Sequence, residues 1–488
     1  MNIVEPVLRH GRIQPATVAL VDEDRTITYS ELAELVLRTA GHLRALGVQR
    51  GDYVGLCLKD DWQHVVALLA IARLGAAVVQ IDPRSRPVEK TRIADAFDFK
   101  LALTLPHAEF NTNCPTMALD EAWHRRVAQA DVPTSFPDEW HDAMVVQSTS
   151  GTTGLPKFSV ATHLQFYFRL ASFCELMPAT RPHRYLAVLP LFSGFGRNLC
   201  LLHLFHGATL IMYPRVFTTQ EFVEAATKHR ANVAAVVPSA LRLLLAAAGS
   251  DRPLMLELEL LICAGAPLFA EEKRQVLRKV TPNFHEVYGA SAFGPISVLR
   301  PKDVPICAES AGRPFPLAEI EIVDEDDKPL IASAIGRLRC RGPALASSIA
   351  GENADDFRNG WHYPGEIAAF DERGYLHLQG RTSEVIFRGG AKVFPTEVEA
   401  VLQGHEKVAD AAVVACGGVG SEQELAAYVV TKADVTPGQL LAHCRQRLTP
   451  YKVPQHIHIV SELPRNASGK VDKRALASQS GAAASANA

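Results

Sequence analysis

Several signals that would settle a simple class are missing from this chain of 488 residues. Its nine cysteines (Cys57, Cys114, Cys174, Cys200, Cys263, Cys307, Cys340, Cys416 and Cys444) are odd in number and scattered, with no C-x-x-C pair. That argues against a disulfide framework or a zinc ribbon, and for buried reduced thiols in a cytoplasmic protein. The net charge is only -3, without a long like-charge run. There is thus no electrostatic reason to expect nucleic acid or an anionic membrane as partner, and small molecules become the default. The longest apolar stretch, Tyr185 to Met212, is interrupted by Pro190, Gly194, Arg197, Asn198 and two histidines, so it reads as core and not as a membrane span. No basic segment with an apolar run follows Met1, so no secretory signal is expected. Internal repeats and the Walker pattern G-x-x-x-x-G-K-[ST] are also lacking.

What is present supports a large globular protein. With 48% hydrophobic and 21% charged residues the chain can bury an extensive core, and its length calls for at least two domains. Its most informative stretch is Gln147-Ser-Thr-Ser-Gly-Thr-Thr-Gly-Leu-Pro-Lys157, behind the apolar run Ala143 to Val146. Gly151 and Gly154 take positive φ at little cost, so successive backbone N–H groups can turn inward as an anion nest. Ser148, Thr149, Ser150, Thr152 and Thr153 add hydroxyl donors and Lys157 a point charge. The stretch reads as a phosphate cradle; the bland alternative is a flexible connector.

Around it the chain alternates helix and strand. Thr28-Tyr-Ser-Glu31 fits a capping box, and Leu32, Leu35, Val36, Leu43 and Leu46 recur at helical spacing up to Gly47. Tyr53 to Leu58 reads as a buried strand, Asp60 or Asp61 as the cap of a helix ending at Gly75, Ala76 to Ile81 as a strand and Arg86 to Phe97 as a helix. The rhythm resumes with strands at Tyr185–Leu189, Thr209–Met212, Val233–Val237 and Leu258–Cys263, and a helix at Thr219–His229. It implies an α/β fold with doubly wound sheets. Short β runs at Glu319–Val323 and Gly336–Cys340 suggest a smaller β subdomain. A compact α/β unit follows Gly380, and a disordered tail is expected over 478–488.

Together with Ala264-Gly-Ala-Pro267, Tyr288-Gly-Ala-Ser291, Gly380-Arg-Thr-Ser-Glu384 and Pro464-Arg-Asn-Ala-Ser-Gly-Lys470, the loop makes the chain resemble the adenylate-forming (AMP-binding) enzymes, closest in look to acyl-CoA synthetases and aryl-CoA ligases. The five stretches come in the family's order and cover nearly the whole chain. The resemblance implies an ATP-dependent enzyme that joins a carboxylic acid to AMP with magnesium, releases pyrophosphate, and passes the acyl group to a thiol, most readily that of coenzyme A. Such a site must bring donors and cations to mutually repelling oxygens.

Carried over residue by residue, Thr149, Ser150, Gly151, Thr152, Thr153, Gly154 and Lys157 would hold the phosphates. Gly265, Ala266, Pro267, Tyr288, Gly289, Ala290 and Ser291 would frame adenine, Tyr288 packing on the ring unless it is only a core aromatic. Arg381 would contact ribose and phosphate, an ordinary ion pair being the alternative, and Lys470 would bridge the carboxylate and the α-phosphate. The resemblance further implies an N-terminal domain over 1–381, a hinge at 382–384 centred on Ser383, and a mobile C-terminal domain over 385–477. Rotation of that domain would exchange Lys470 for the face bearing Arg388, Gly389, Gly390 and Lys392, candidates for contact with the CoA arm.

Three positions depart from the family pattern. Ala292 stands where a glutamate usually helps hold magnesium, leaving the metal to phosphate oxygens, water and Thr152. Glu366 replaces the aspartate that holds the ribose hydroxyls, one methylene longer. Phe192-Ser193 stands where related ligases carry an aromatic gate histidine. Phe192, Ser193, Phe195, Arg197, Ser239, Ala264 and Phe293 make a partly aromatic candidate pocket suited to an aryl or medium-length acyl group. Arg197, a charge in an apolar stretch, reads either as the partner of a second anionic group on the substrate or as half of a structural ion pair. Two further readings stay open: a stand-alone enzyme loading the phosphopantetheine of a carrier protein, and a degenerate binder, suggested by Ala292. Lys470 also resembles sites where such enzymes are silenced by a lysine acetyltransferase.

Overall fold

The computed structural model describes residues 2–23, 25–106, 108, 110, 114–149, 157–178, 182–213, 218–249, 252–348, 356–388, 391–416, 423–465 and 470–478, with the backbone alone at 148, 149, 157, 347 and 348. The centre of the phosphate loop (150–156), Gly389, Gly390 and the tail from 479 lie outside these residues.

Two large, mainly parallel sheets carry the N-terminal part. One has the strands Ser347–Ser348, Lys157–Thr162, Ala143–Thr149, Ala77–Gln80, Tyr53–Cys57, Phe99–Thr104 and Thr116–Ala118 side by side. The other runs from Arg313–Pro314 through Gly294–Leu299, Phe284–Ala290, Leu260–Ala264, Val233–Val236, Arg184–Ala187, Thr209–Met212 and Val18–Asp22 to Arg25–Thr28. Their central strands are buried on both faces, as Val233–Val236 and Leu260–Ala264 illustrate, and correspondingly read as unbroken apolar runs. One hydrophobic core joins the two sheets, from Leu20 and Val54 through Val145 and Phe166 to Ile262 and Val298.

The local signals work as their chemistry requires. Thr28 caps the helix Tyr29–Ala45: its hydroxyl accepts from the Glu31 amide at 3.3 Å while Glu31 accepts from the Thr28 amide at 2.7 Å. Of the two candidate caps of Trp62–Arg73, Asp61 does the capping, accepting from the amides of Gln63 and His64. Asp60 instead accepts from the Leu191 amide at 2.7 Å and ties the two sheets together. The β subdomain is a third sheet, with Glu319–Val323 paired to Gly336–Arg341 and Glu366–Phe370 to Leu376–Arg381. The C-terminal unit has its own core, built from Val398, Leu402, Val413, Ala427, Val429 and Leu440 among others. There the strands Val408–Cys416, Glu424–Thr431 and His456–Val460 pack under the helices Pro395–Gln403 and Pro437–Arg445. All nine cysteines are free thiols. No helix among the described residues is long and apolar enough to cross a membrane.

Candidate active site

Several predicted site residues, Gly265, Tyr288 and Thr149 among them, stand at or near the carboxyl ends of strands, where open α/β sheets leave crevices for ligands. The strand Ala143–Thr149 leads into the phosphate loop, and Lys157–Thr162 returns antiparallel to it with Thr149 opposite Lys157. Leu260–Ala264 ends at Gly265, whose φ of +107° lies in the region that favours glycine. The nearest atom to a Cβ built there is Val237 Cγ1 at 3.8 Å, so this end of the strand has an open face. The neighbouring strand Phe284–Ala290 delivers Tyr288, partly buried, with Gly289 exposed and Ala290 and Ser291 partly so. Ala266 is partly buried and Pro267 exposed at the same edge.

Three separate stretches meet at Glu366. Its register partner across the hairpin is Arg381, which brings the Gly380–Glu384 motif and the Trp361–Glu366 segment together. Glu366 accepts a hydrogen bond from the Tyr288 hydroxyl at 3.1 Å and faces Arg381 Nε at 3.5 Å. Burial holds the Glu366 carboxyl above the usual carboxylate range, opposed by the charges of Arg381 and Lys470 and by the Tyr288 hydroxyl. Lys470 comes from the C-terminal unit, immediately before Val471, which forms a bridge with Arg465. Burial, then the nearby Arg381 charge, push the Lys470 ammonium below its ordinary value, while Glu366 and Glu384 pull the other way. Three residues on, Lys473 pairs with Glu384 at 2.8 Å and with the buried Glu399 at 2.9 Å. Those two carboxylates raise the Lys473 ammonium against the effect of burial.

The candidate acid pocket is different in kind. Ser193 caps the helix Gly194–Phe205, its hydroxyl accepting from the Gly196 amide and donating to the Pro190 carbonyl. A Cβ at Gly194 would come within 2.4 Å of the Gln147 amide, so glycine lets that side chain lie on the helix start. There Gln147 Oε1 accepts from Arg197 Nη2 at 3.0 Å. Arg197 is wholly buried, and its Nε and Nη1 find no partner among the described residues. Burial, then the like charge of Arg169, lower its guanidinium to about 9, still cationic at neutral pH. Arg169 is buried as completely and donates to the carbonyls of Ala344 at 3.1 Å and Ala292 at 2.8 Å. Phe192 lies under Arg84 and Phe195 near Phe173, while Ser239 sits on the helix Pro238–Ala247. Ala264 ends its strand buried, and Phe293 is a core side chain, 1% exposed.

The remaining candidates make contacts of other kinds. Arg388 donates to the carbonyls of Tyr451 and Val453, and exposed Lys392 reaches Glu325 of the β subdomain at 3.5 Å. Ser383 is exposed in the short 3-10 turn Thr382–Glu384. Sequence reasoning passed over Arg169, Gln147 and Lys473. Arg169 alone carried a signal, the same charge in an apolar helix that drew attention to Arg197.

The resemblance assigns adenosine to Gly265, Tyr288 and Glu366; the structure gives the first an open edge and joins the other two by a hydrogen bond. Ala292, only 6% exposed and with its carbonyl held by Arg169, supplies no carboxylate to magnesium. A set of an aromatic, a carboxylate and cations suits an enzyme that handles a nucleotide. The chain belongs to the AMP-binding enzyme family: residues 8–349 match that family and residues 397–470 its C-terminal domain. The 2-succinylbenzoate–CoA ligase of Bacillus licheniformis is 28% identical over 473 residues, covering 96% of this chain and 98% of the relative. The o-succinylbenzoate CoA synthetase of Bacillus subtilis, solved with ATP and magnesium ion, superposes with a TM-score of 0.87 at 26% identity over 97% of this chain and 98% of that one. The same enzyme with its acyl-adenylate intermediate gives a TM-score of 0.86 at 25% identity, over 96% and 97% of the two chains.

Proposed function

We propose that this AMP-forming acid–CoA ligase takes an aryl acid bearing a second anionic group, and that Arg197 receives that group. The observation that carries the reading is a wholly buried guanidinium, two of whose N–H sites have no partner among the described residues. Leaving such donors unmet costs about 1–3 kcal/mol each or more, so a ligand anion is the fitting partner. The similar ligases act on 2-succinylbenzoate, a benzoate with a succinyl chain and hence two carboxylates. Turnover of matched aryl mono- and dicarboxylates, followed as pyrophosphate release, tests this; equal efficiency for both would refute it.

ATP supplies the adenylyl group that activates the acid, pyrophosphate leaves, and the acyl group passes to the CoA thiol. Within that reaction Lys470 places a positive charge between the carboxylate and the α-phosphate, Arg381 and Glu366 hold the ribose side, and Tyr288 lines adenine and orients Glu366 through its hydroxyl. Thr149 to Gly154 and Lys157 receive the departing phosphates. With Ala292 offering no carboxylate, more of that charge falls on the loop, so Thr152→Ala or Lys157→Ala impairs adenylation more than thioester formation from supplied acyl-adenylate. Equal losses in the two steps would contradict this division. Rotation about Ser383 then brings Arg388 and Lys392 toward the thiol's entrance. Offering CoA and a holo-carrier protein to the same acyl-adenylate decides the acceptor, with CoA expected to be used. Acetylation of Lys470 by an acetyltransferase removes the charge that adenylation needs, and full activity of the acetylated enzyme would refute that.

A further inference from the structure

At the end of the β subdomain that points away from Glu366, three unlike donors converge. Cys307, 3% exposed, ends the short helix Val304–Cys307. Asp371 and His377 flank the turn between the strands Glu366–Phe370 and Leu376–Arg381. Cys307 Sγ stands 3.8 Å from Asp371 Oδ2 and 3.7 Å from His377 Nε2, and these two are 3.4 Å apart. A tetrahedral zinc ion with Zn–S of about 2.3 Å and Zn–N and Zn–O of about 2.0–2.1 Å would set its ligands about 3.3–3.6 Å from one another. The three atoms thus already stand within a few tenths of an ångström of one face of such a tetrahedron.

The scaffold under them is fixed. The Ala311 amide donates to the Leu376 carbonyl at 2.7 Å, and the Leu376 amide to the Gly312 carbonyl at 2.8 Å, locking the segment after Cys307 to the hairpin. The Tyr375 hydroxyl donates to Asp303 at 2.9 Å within the same junction. Asp371 Oδ1 is spent on the amides of Arg373 and Tyr375, which orients the carboxylate and presents Oδ2 to the other two donors. Arg373 reaches that oxygen at 3.5 Å on a half-exposed side chain and can swing away.

We propose that Cys307, Asp371 and His377 form a structural site for a thiophilic divalent cation, zinc for preference, with water as fourth ligand, clamping the β subdomain to the large sheet. A thiolate–imidazole–carboxylate set suits zinc over magnesium or calcium, which prefer oxygen alone. Binding forms the metal–sulfur bond and releases the Cys307 thiol proton to solvent. The site lies five residues along a strand from Glu366, about 16 Å at ordinary strand rise.

Titration of the reduced, chelator-treated full-length protein with cobalt(II) tests this. One equivalent per chain should bind with a thiolate-to-cobalt charge-transfer band and the intense visible bands of tetrahedral cobalt, and zinc should displace it. Cys307→Ser should abolish the charge-transfer band. His377→Gln should weaken binding by at least about tenfold, since even an outer-shell loss does that much. Cys416→Ser, in the group of half-buried Cys416 with exposed Glu424 and His456, should change nothing. Absence of a stoichiometric band, a band that survives Cys307→Ser, or a cobalt affinity that His377→Gln leaves unchanged would overturn the proposal. Should Cys307→Ser fold poorly, His377→Gln decides alone.

Discussion

The two corners of this site carry positive charge in opposite ways. At Glu366 the cations are answered: Arg381 faces its carboxylate at 3.5 Å, Lys470 feels both Glu366 and Glu384, and Lys473 is shared between Glu384 and Glu399. At Gln147 they are not, since among the described residues Arg197 meets one neutral amide and Arg169 two carbonyls, with no carboxylate bonded to either. Removing an ion from water costs several kcal/mol even after relaxation, so an unanswered buried charge persists only if it does something. The answered corner suits a step in which charge builds transiently on phosphate and carboxylate. The unanswered one suits an anion that arrives with the substrate and stays unreacted.

Breaking each corner should separate them. Lys470→Ala should lower ATP–pyrophosphate exchange by about 10²–10³-fold, the scale of losing one charge-stabilising donor. Thioester formation from supplied acyl-adenylate should change little, and a comparable fall there would place Lys470 in both steps. Arg197→Met should lower kcat/KM for an aryl dicarboxylate by about 2–5 kcal/mol, which is ~30-fold or more. Because the variant also removes a buried, unanswered charge, its thermal midpoint should hold or rise; a lower midpoint would mark Arg197 as structural. Tyr288→Phe deletes a single hydroxyl bond to Glu366 and should cost about 1 kcal/mol, read as a several-fold rise in KM for ATP.

The smallest effect is on pH. The role proposed for Lys470 needs its charge, and its ammonium lies below the ordinary lysine value, so kcat/KM for ATP should fall, as pH rises, earlier than an exposed lysine would dictate. Glu366 lies above the usual carboxylate range, so as pH drops it takes up its proton early and sets the acid limb. Glu366→Gln should flatten that limb, and an unchanged acid limb would assign it to another group.

Much of the architecture was legible because it is local. The capping box at Thr28, the apolar runs of the central strands and the five ordered stretches name the fold and most of the residues that meet at Glu366. The rest depends on contacts that no spacing encodes. Asp60 looked like a helix cap but serves Leu191, 131 residues away. Phe293, a pocket candidate, turns into the core where the chain reverses between the strands Phe284–Ala290 and Gly294–Leu299. Cys307, Asp371 and His377 meet only through the junction of hairpin and sheet. Arg169 could have been noticed, since it shares with Arg197 the mark of a charge inside an apolar helix.

The most direct test of the account is the ratio of kcat/KM for an aryl dicarboxylate, 2-succinylbenzoate first, to that for the same acid lacking its second carboxylate, measured in wild type and Arg197→Ala. The account predicts a ratio well above unity in the wild type that collapses toward unity in the variant. A ratio that the substitution leaves unchanged would contradict it.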